Sequence, residues 1–213
     1  QSFGESEYTA VTLKAEKRWN GKYQVRAHYT WSQDKDTDSN ERSATTVTVS
    51  DPSNPRYDWG LAERDVENRV VISGMVELPW EIQLSGIFEY RDGRPYDPTD
   101  SGFDFEACGF TSLGFNCPNA RPVVDGNILA RNSFRNDSIQ KVDLRLSKFF
   151  DVKDLRIGLF AEGFNIFDEN SWEMPFGFRG DRQRDPNQAD FGIASEIVTT
   201  PRQYQFGIRL SFR

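Results

Sequence analysis

The stretch RQYQFGIRLSFR, residues 202–213, alternates without a break: Tyr204, Phe206, Ile208, Leu210 and Phe212 take every second position, with Gln203, Gln205, Gly207, Arg209 and Ser211 between them. Period-two alternation marks a β-strand whose two faces meet different surroundings. In a sheet dissolved in water, the greasy face meets a protein core and the polar face meets solvent. In a barrel crossing the outer membrane, the greasy face meets lipid and the polar face meets the lumen. One strand cannot separate these readings, so the organisation of the rest of the chain has to.

The pattern recurs upstream. From about Tyr8 to Arg18, Val11, Leu13 and Ala15 alternate with Thr12, Lys14 and Glu16; WNGK, residues 19–22, then supplies an Asn-Gly pair of the kind that closes hairpins. Lys22 to Ser32 sets Tyr23, Val25, Ala27, Tyr29 and Trp31 against Arg26, His28 and Thr30. A polar stretch of Asp, Ser, Asn and Pro from Gln33 reads as a long loop. Asp65 to Leu78 alternates Val70, Ile72, Gly74 and Val76 with Arg69, Ser73 and Glu77, and PWE turns it into Ile82 to Arg91, where Leu84, Gly86 and Phe88 oppose Ser85, Glu89 and Arg91. A second long loop ends near Asp137. Ile139 to Phe150 then alternates Val142, Leu144 and Leu146 with Asp143, Arg145 and Ser147, and DVKD is its short turn. Leu155 to Phe167 places Ile157 and Leu159 opposite Arg156 and Glu162, with a bulge expected where GFNIF blurs the phase. A third long loop leads to the terminal strand.

Connectors therefore run short, long, short, long, short, long. Outer-membrane barrels place tight turns on the periplasmic side and long loops outside, whereas soluble sandwiches mix connection lengths at both ends. With that polarity, aromatic residues gather at the outer strand ends (Tyr8, Tyr29, Trp31, Tyr90, Phe167, Tyr204) and at the inner ends (Trp19, Trp80, Phe150, Phe212). Two such belts are expected of barrel strands at the two membrane interfaces. The expectation is an all-β, antiparallel transmembrane barrel segment of about seven strands. Its lipid face carries Tyr23, Val25, Ile72, Val76, Leu84, Phe88, Val142, Leu144, Leu146, Ile157, Leu159, Phe206, Ile208 and Leu210. Its lumen face carries Arg26, His28, Arg69, Glu77, Glu89, Arg91, Asp143, Arg145, Arg156, Glu162 and Arg209. Closure needs an even count, so either ATTVTVS, residues 44–50, hides a strand or the chain is part of a larger barrel.

Composition agrees with that reading. A mean hydropathy of −0.68 hides membrane strands, because alternation averages each one to neutral. The 17 Phe, 7 Tyr and 5 Trp accompany 28% charged residues, a mixture that segregates onto two faces. A net charge of −7 gives no basic footprint for nucleic acid. QSFGESEYTAV, residues 1–11, contains neither part of an export signal, and the expectation is that the beginning of the protein is missing. Cys108 and Cys117 lie close together in a Gly/Asn/Pro-marked loop without metal-ligand spacing. That favours a local disulfide, and with it an oxidising compartment, over two free thiols.

Four motifs, ENRVVISGMVELPW (67–80), ILARNSFRNDSIQKVDLRLSKFF (128–150), IGLFAEGFNIFDEN (157–170) and TTPRQYQFGIRLSF (199–212), occur in this order between long loops. Together they resemble the C-terminal end of TonB-dependent outer-membrane receptors, most closely the Oar-like branch with its carboxypeptidase-regulatory-like domain; the resemblance spans Lys17 to Phe212. It implies a 22-stranded barrel, an N-terminal plug and TonB-driven transport of a large solute, without a cofactor. The implied partners are lipid, the rest of the barrel and its plug, the TonB complex and the barrel-assembly machinery. That machinery reads a terminal aromatic, here Phe212, although Arg213 follows it.

Other chemistry is thin. His28 is the only histidine, and no aligned nucleophile or carboxylate accompanies it in the sequence, so no enzyme activity is expected. DKDTDS from Asp34 starts like a calcium loop but lacks the required Gly and Glu; solvated loop charge or a weakly held surface cation at Asp34, Asp36, Asp38, Asp97, Asp100 and Asp104 are the remaining readings. NDS at Asn136 fits the glycosylation pattern. The lumen charges either touch a plug or solute or simply form a hydrated wall of paired charges. Alternatives to transport are a secreted β-rich binding module and a small complete barrel enzyme.

Overall fold

The computed structural model describes residues 4–39, 54–98, 122–174 and 182–212. Its main sheet is an antiparallel meander in which each long strand pairs with the next: β1 (Ser6–Lys17), β2 (Tyr23–Asp36), β3 (Asn68–Leu78), β4 (Ile82–Arg91), β5 (Ile139–Val152), β6 (Leu155–Phe164) and β7 (Gln203–Phe212). The connectors alternate short and long as the sequence predicts. One end of the sheet is thus a turn end and the other a loop end.

Local chemistry makes the turns. Between β1 and β2, the Asn20 side-chain oxygen accepts from the backbone N–H groups of Lys22 (3.1 Å) and Tyr23 (3.0 Å), while Gly21 takes φ 89. Between β3 and β4, Trp80 and Glu81 both adopt the left-handed region, φ 64 and 59. The β5–β6 turn leaves only Lys153, at φ 55, and Asp154 between paired residues.

The register carries one apolar face across all seven strands. Leu13 faces Tyr29, which faces Val70, which faces Tyr90; further along, Leu84 faces Leu146, Ala161 and Phe206 in turn. One row of neighbours starts at Lys17, at the turn end of β1, and passes through Val25, Gly74, Gly86, Leu144 and Gly163. It arrives at Tyr204, at the loop end of β7. Successive strands are therefore staggered in one direction, the shear that a tilted barrel wall requires.

None of the described residues covers that face. Among the described residues the buried hydrophobic side chains are Ala62, Tyr96, Ile139 and Met174, all at or beyond the loop end. Along the strands Val25 remains 39% exposed, Leu146 43%, Ile208 72% and Phe206 81%. Val25, Leu84, Leu144 and Ile208 form no shared dry centre; Leu84 and Leu144 are only half-buried. In water such a face would forgo about 25 cal/mol for every Å² left uncovered. Its cover must come from outside the sheet.

Three expectations change. β2 does not stop at Ser32 but continues to Asp36, because loops pack over Ser32, Asp34 and Asp36 and bury them. β6 ends at Phe164 rather than Phe167: Asn165 turns to φ 47 and its carbonyl accepts from the Asp168 N–H (2.8 Å), so GFNIF holds a strand-ending turn instead of a bulge. Tyr8 pairs with Asp34 and lies on the polar face, leaving Tyr29, Trp31, Tyr90 and Tyr204 as the loop-end aromatics of the apolar face. ATTVTVS falls outside the described residues.

Candidate functional site

Two neighbouring regions carry chemistry: the polar face of the sheet and the body of loops at its upper end. On the polar face every predicted lumen residue shares one phase of the register, opposite every predicted lipid residue. Most of the charges pair. Arg26 reaches Glu16 (3.3 Å), Arg69 reaches Glu89 (3.1 Å), Lys141 reaches Asp143 (3.1 Å), Arg145 reaches Glu162 (3.3 Å) and Arg156 reaches Asp151 (4.0 Å). Solvent-exposed pairs like these contribute about 0.2–1 kcal/mol each. Arg91 stands directly opposite Arg69, a like-charge pairing that Glu89 offsets. Glu77 lies opposite Gln83. His28, exposed, lies between Lys14 and Val71 across its two neighbouring strands.

The polar face is concave at mid-height, where a hollow of about 390 Å³ opens between strands β2 and β6. Ser73 and Ser85 line it together with Gln24 and Arg26 from β2, Arg145 from β5 and Glu162 from β6. Met75, Ile87 and Phe164 line it as well, so the recess offers both hydrogen-bonding and apolar contacts.

Apolar groups on this face escape a reading based on the alternation of Val, Leu and Ile alone. Ile87 is 50% exposed in phase with Glu89 and Ser85. Phe149 and Phe160 meet edge to face at 5.9 Å. Arg145 stacks 4.3 Å from the Phe160 ring centre and Arg209 5.7 Å from it, while Arg156 lies 4.8 Å from Phe149. Each exposed cation–π contact contributes about 0.5–1 kcal/mol. The signal in the sequence was the parity of Phe149 and Phe160 with Arg145 and Arg156, hidden by the apolar character of both rings.

At the loop end, arginines from distant loops grip the extension of β2. Arg131 Nη1 donates to the backbone carbonyls of Asp36 (2.8 Å) and Asp58 (3.0 Å), and its Nη2 donates to Asp36 Oδ1 (2.5 Å) and Ser39 Oγ (2.6 Å). Arg131 is 8% and Asp36 2% exposed. Arg64 Nε donates to Asp34 Oδ2 (2.7 Å), and Arg135 pairs with Asp65. Asp34 and Asp36 are thus not solvated loop charge: both are buried, each against a guanidinium, and the Ser39 hydroxyl also donates to Asp36. Among the described residues no cluster of three or more His, Cys, Asp or Glu side chains is arranged to hold a metal ion. Since Asp34 and Asp36 share a face with Arg26 and His28, these loops fold toward the concave side of the sheet.

A second clasp sits above β5 to β7. Asn165, 1% exposed, takes its own N–H to Asp143 Oδ1 (2.8 Å) and spends its side-chain amide on the carbonyls of Glu169 (3.0 Å) and Thr200 (2.9 Å). Asn136 is tied likewise: its Nδ2 donates to the Arg94 carbonyl (2.9 Å) and its Oδ1 accepts from Met174 N–H (2.7 Å). The nitrogen that the glycosylation pattern would modify is therefore engaged within the fold. Tyr96 stacks on Phe134 at 5.8 Å and Phe191 meets Phe134 edge to face at 5.0 Å, forming a small loop core. Burial pushes the Tyr96 phenol above its ordinary pKa, opposed by the nearby Arg184 guanidinium, so the ring stays neutral through physiological pH. Asp100, Asp104, Cys108 and Cys117 lie outside the described residues, and Phe212 ends β7 opposite Leu155, 82% exposed.

A family model for an outer membrane beta barrel domain matches residues 1–205. No curated protein matches the chain.

Proposed function

Because this chain belongs to the outer membrane beta barrel domain family and resides in the outer membrane, we propose that it is the C-terminal barrel section of a TonB-dependent, Oar-like transporter. In this reading the apolar face meets lipid and the polar face lines a lumen filled by a plug from the N-terminal part of the same polypeptide. The plug couples to the TonB complex, a large solute is the cargo, and assembly proceeds through recognition of Phe212 by the barrel-assembly machinery. The chain has no catalytic role and no nucleic-acid partner.

The observation that carries the reading is the set of apolar groups in the polar phase of the wall: the exposed Ile87, with Val71, Met75, Phe149 and Phe160. A wall wetted only by water gains nothing from such groups, whereas a folded body against it gains their burial. Topology adds support. β1 and β7 are the two edges of the described sheet, exposed at every described position, and in a seven-strand meander they run the same way. An all-antiparallel wall closes between them only through an odd number of further strands.

A photo-reactive residue placed at Ile87 of the complete protein in its membrane is expected to crosslink within the same polypeptide, to a segment N-terminal to the barrel. Crosslinking to lipid would reverse the faces, and crosslinking to neither would remove the plug from the proposal. His28→Ala is expected to leave folding and TonB-dependent uptake at wild-type level; loss of activity in that variant would favour a small barrel enzyme.

A further inference from the structure

Lys148 breaks the pattern of the apolar face. It falls in phase with Val142, Leu144 and Leu146, with Leu146 before it and Phe150 after it along β5, and Ile82 and Leu159 beside it on the adjoining strands. The other charged residues in this phase, Glu7, Lys17 and Lys35, stand at strand ends. Lys148 is the one enclosed by apolar neighbours on all four sides. It has no carboxylate partner among the described residues, and its ammonium rests 5.0 Å from the centre of the Phe150 ring.

An ammonium in this position needs an anion outside the sheet. A lysine facing hydrocarbon is costly at the bilayer centre and nearly free at the interface, and its flexible stem lets the charge reach toward the nearer headgroups. Lys148 stands four residues before Val152, the last residue of β5, so the turn end is the nearer surface, about 13 Å away along the strand. That rim is rich in cations and aromatic groups: Lys17, Arg18, Lys22 and Lys153 stand with Trp19, the 80% exposed Trp80 and Phe150, against Glu81, Asp151 and Asp154. Short turns face the periplasm, so the leaflet concerned is the inner one, built of glycerophospholipids.

We propose that Lys148, braced on Phe150, binds the phosphate of an anionic phospholipid headgroup in the inner leaflet. The ring holds the methylene stem and leaves the ammonium free to donate toward the phosphate; the surrounding Ile82, Leu146 and Leu159 receive the first part of the acyl chains. This rests on the apolar face meeting lipid, and does not depend on what fills the lumen.

The complete protein, purified in neutral detergent, is titrated with phosphatidylglycerol and with phosphatidylcholine, and bound lipid is counted by native mass spectrometry. Wild type is expected to prefer phosphatidylglycerol, Lys148→Leu to lose about fivefold of that affinity, and Lys148→Arg to keep it. Insertion of each variant into vesicles, read as resistance of the unheated band to unfolding in detergent, is scored in parallel. Lys148→Leu that inserts normally and binds phosphatidylglycerol as wild type does would overturn the headgroup site alone. Failure of wild type to insert would overturn the lipid-facing reading on which the site stands.

Discussion

Leu144→Arg is expected to destabilise the barrel by about 2–4 kcal/mol, the cost of a guanidinium near the bilayer midplane on the lipid face. Leu144 stands near the middle of β5 and is flanked in the register by Gly86 and Gly163, so no neighbouring side chain can shelter an arginine there. A Cβ added at Gly86 would meet Leu144 Cδ2 at 2.6 Å, which shows how fully the leucine fills the space over that glycine. The adjacent substitution is the control. Arg145→Leu gives up a 3.3 Å pair with Glu162 and a stack on Phe160; the arginine side chain is 43% exposed, and the change is expected to cost about 1 kcal/mol or less, because Gln205 still donates to Glu162 at 2.8 Å. Urea unfolding of the protein refolded into vesicles measures both. Similar losses for the two variants would dissolve the distinction between the faces.

Arg131→Met is the second large effect, and it is confined to the loops. The substitution leaves Asp36, 2% exposed, as an unpaired buried carboxylate, and it removes the guanidinium that joins Asp36, Ser39 and Asp58. Removing one partner of a buried pair costs about 3–5 kcal/mol, most of it from the charge left behind. Hydrogen exchange is expected to rise across residues 54–67 and 122–137, while β3 to β7 keep their protection. The double variant Asp36→Asn with Arg131→Met should recover much of the loss, since no charge then remains buried. Unchanged exchange in Arg131→Met would mean that the loop body is held by its other contacts, such as Arg64 on Asp34 and Asn132 on the Leu61 carbonyl.

The site residues divide by how far their signal travels along the chain. The phase of Arg26, Glu89, Arg145 and Glu162 was readable because a strand repeats every two residues, and the turns at Asn20–Gly21 and Lys153–Asp154 announced themselves through local side-chain chemistry. Asp34 and Asp36 are illegible in the sequence, because a carboxylate's surroundings depend on whichever loop returns to it. For Asp36 that is Arg131, 95 positions away in sequence. Lys148 is illegible for a related reason: it is ordinary within its own strand and becomes informative only once the register shows the two strands beside it.

The strand class, the alternation of short and long connectors and the two-faced character of each strand are legible along the chain, because each depends on residues within a few positions of one another. It takes the folded sheet to show that seven separate apolar stripes join into one continuous face left uncovered by the described residues, that the rows climb from Lys17 to Tyr204, and that the loops lean over the polar side. Those facts depend on cross-strand register and on pairs between distant segments, and no local pattern encodes where a strand will find its neighbour.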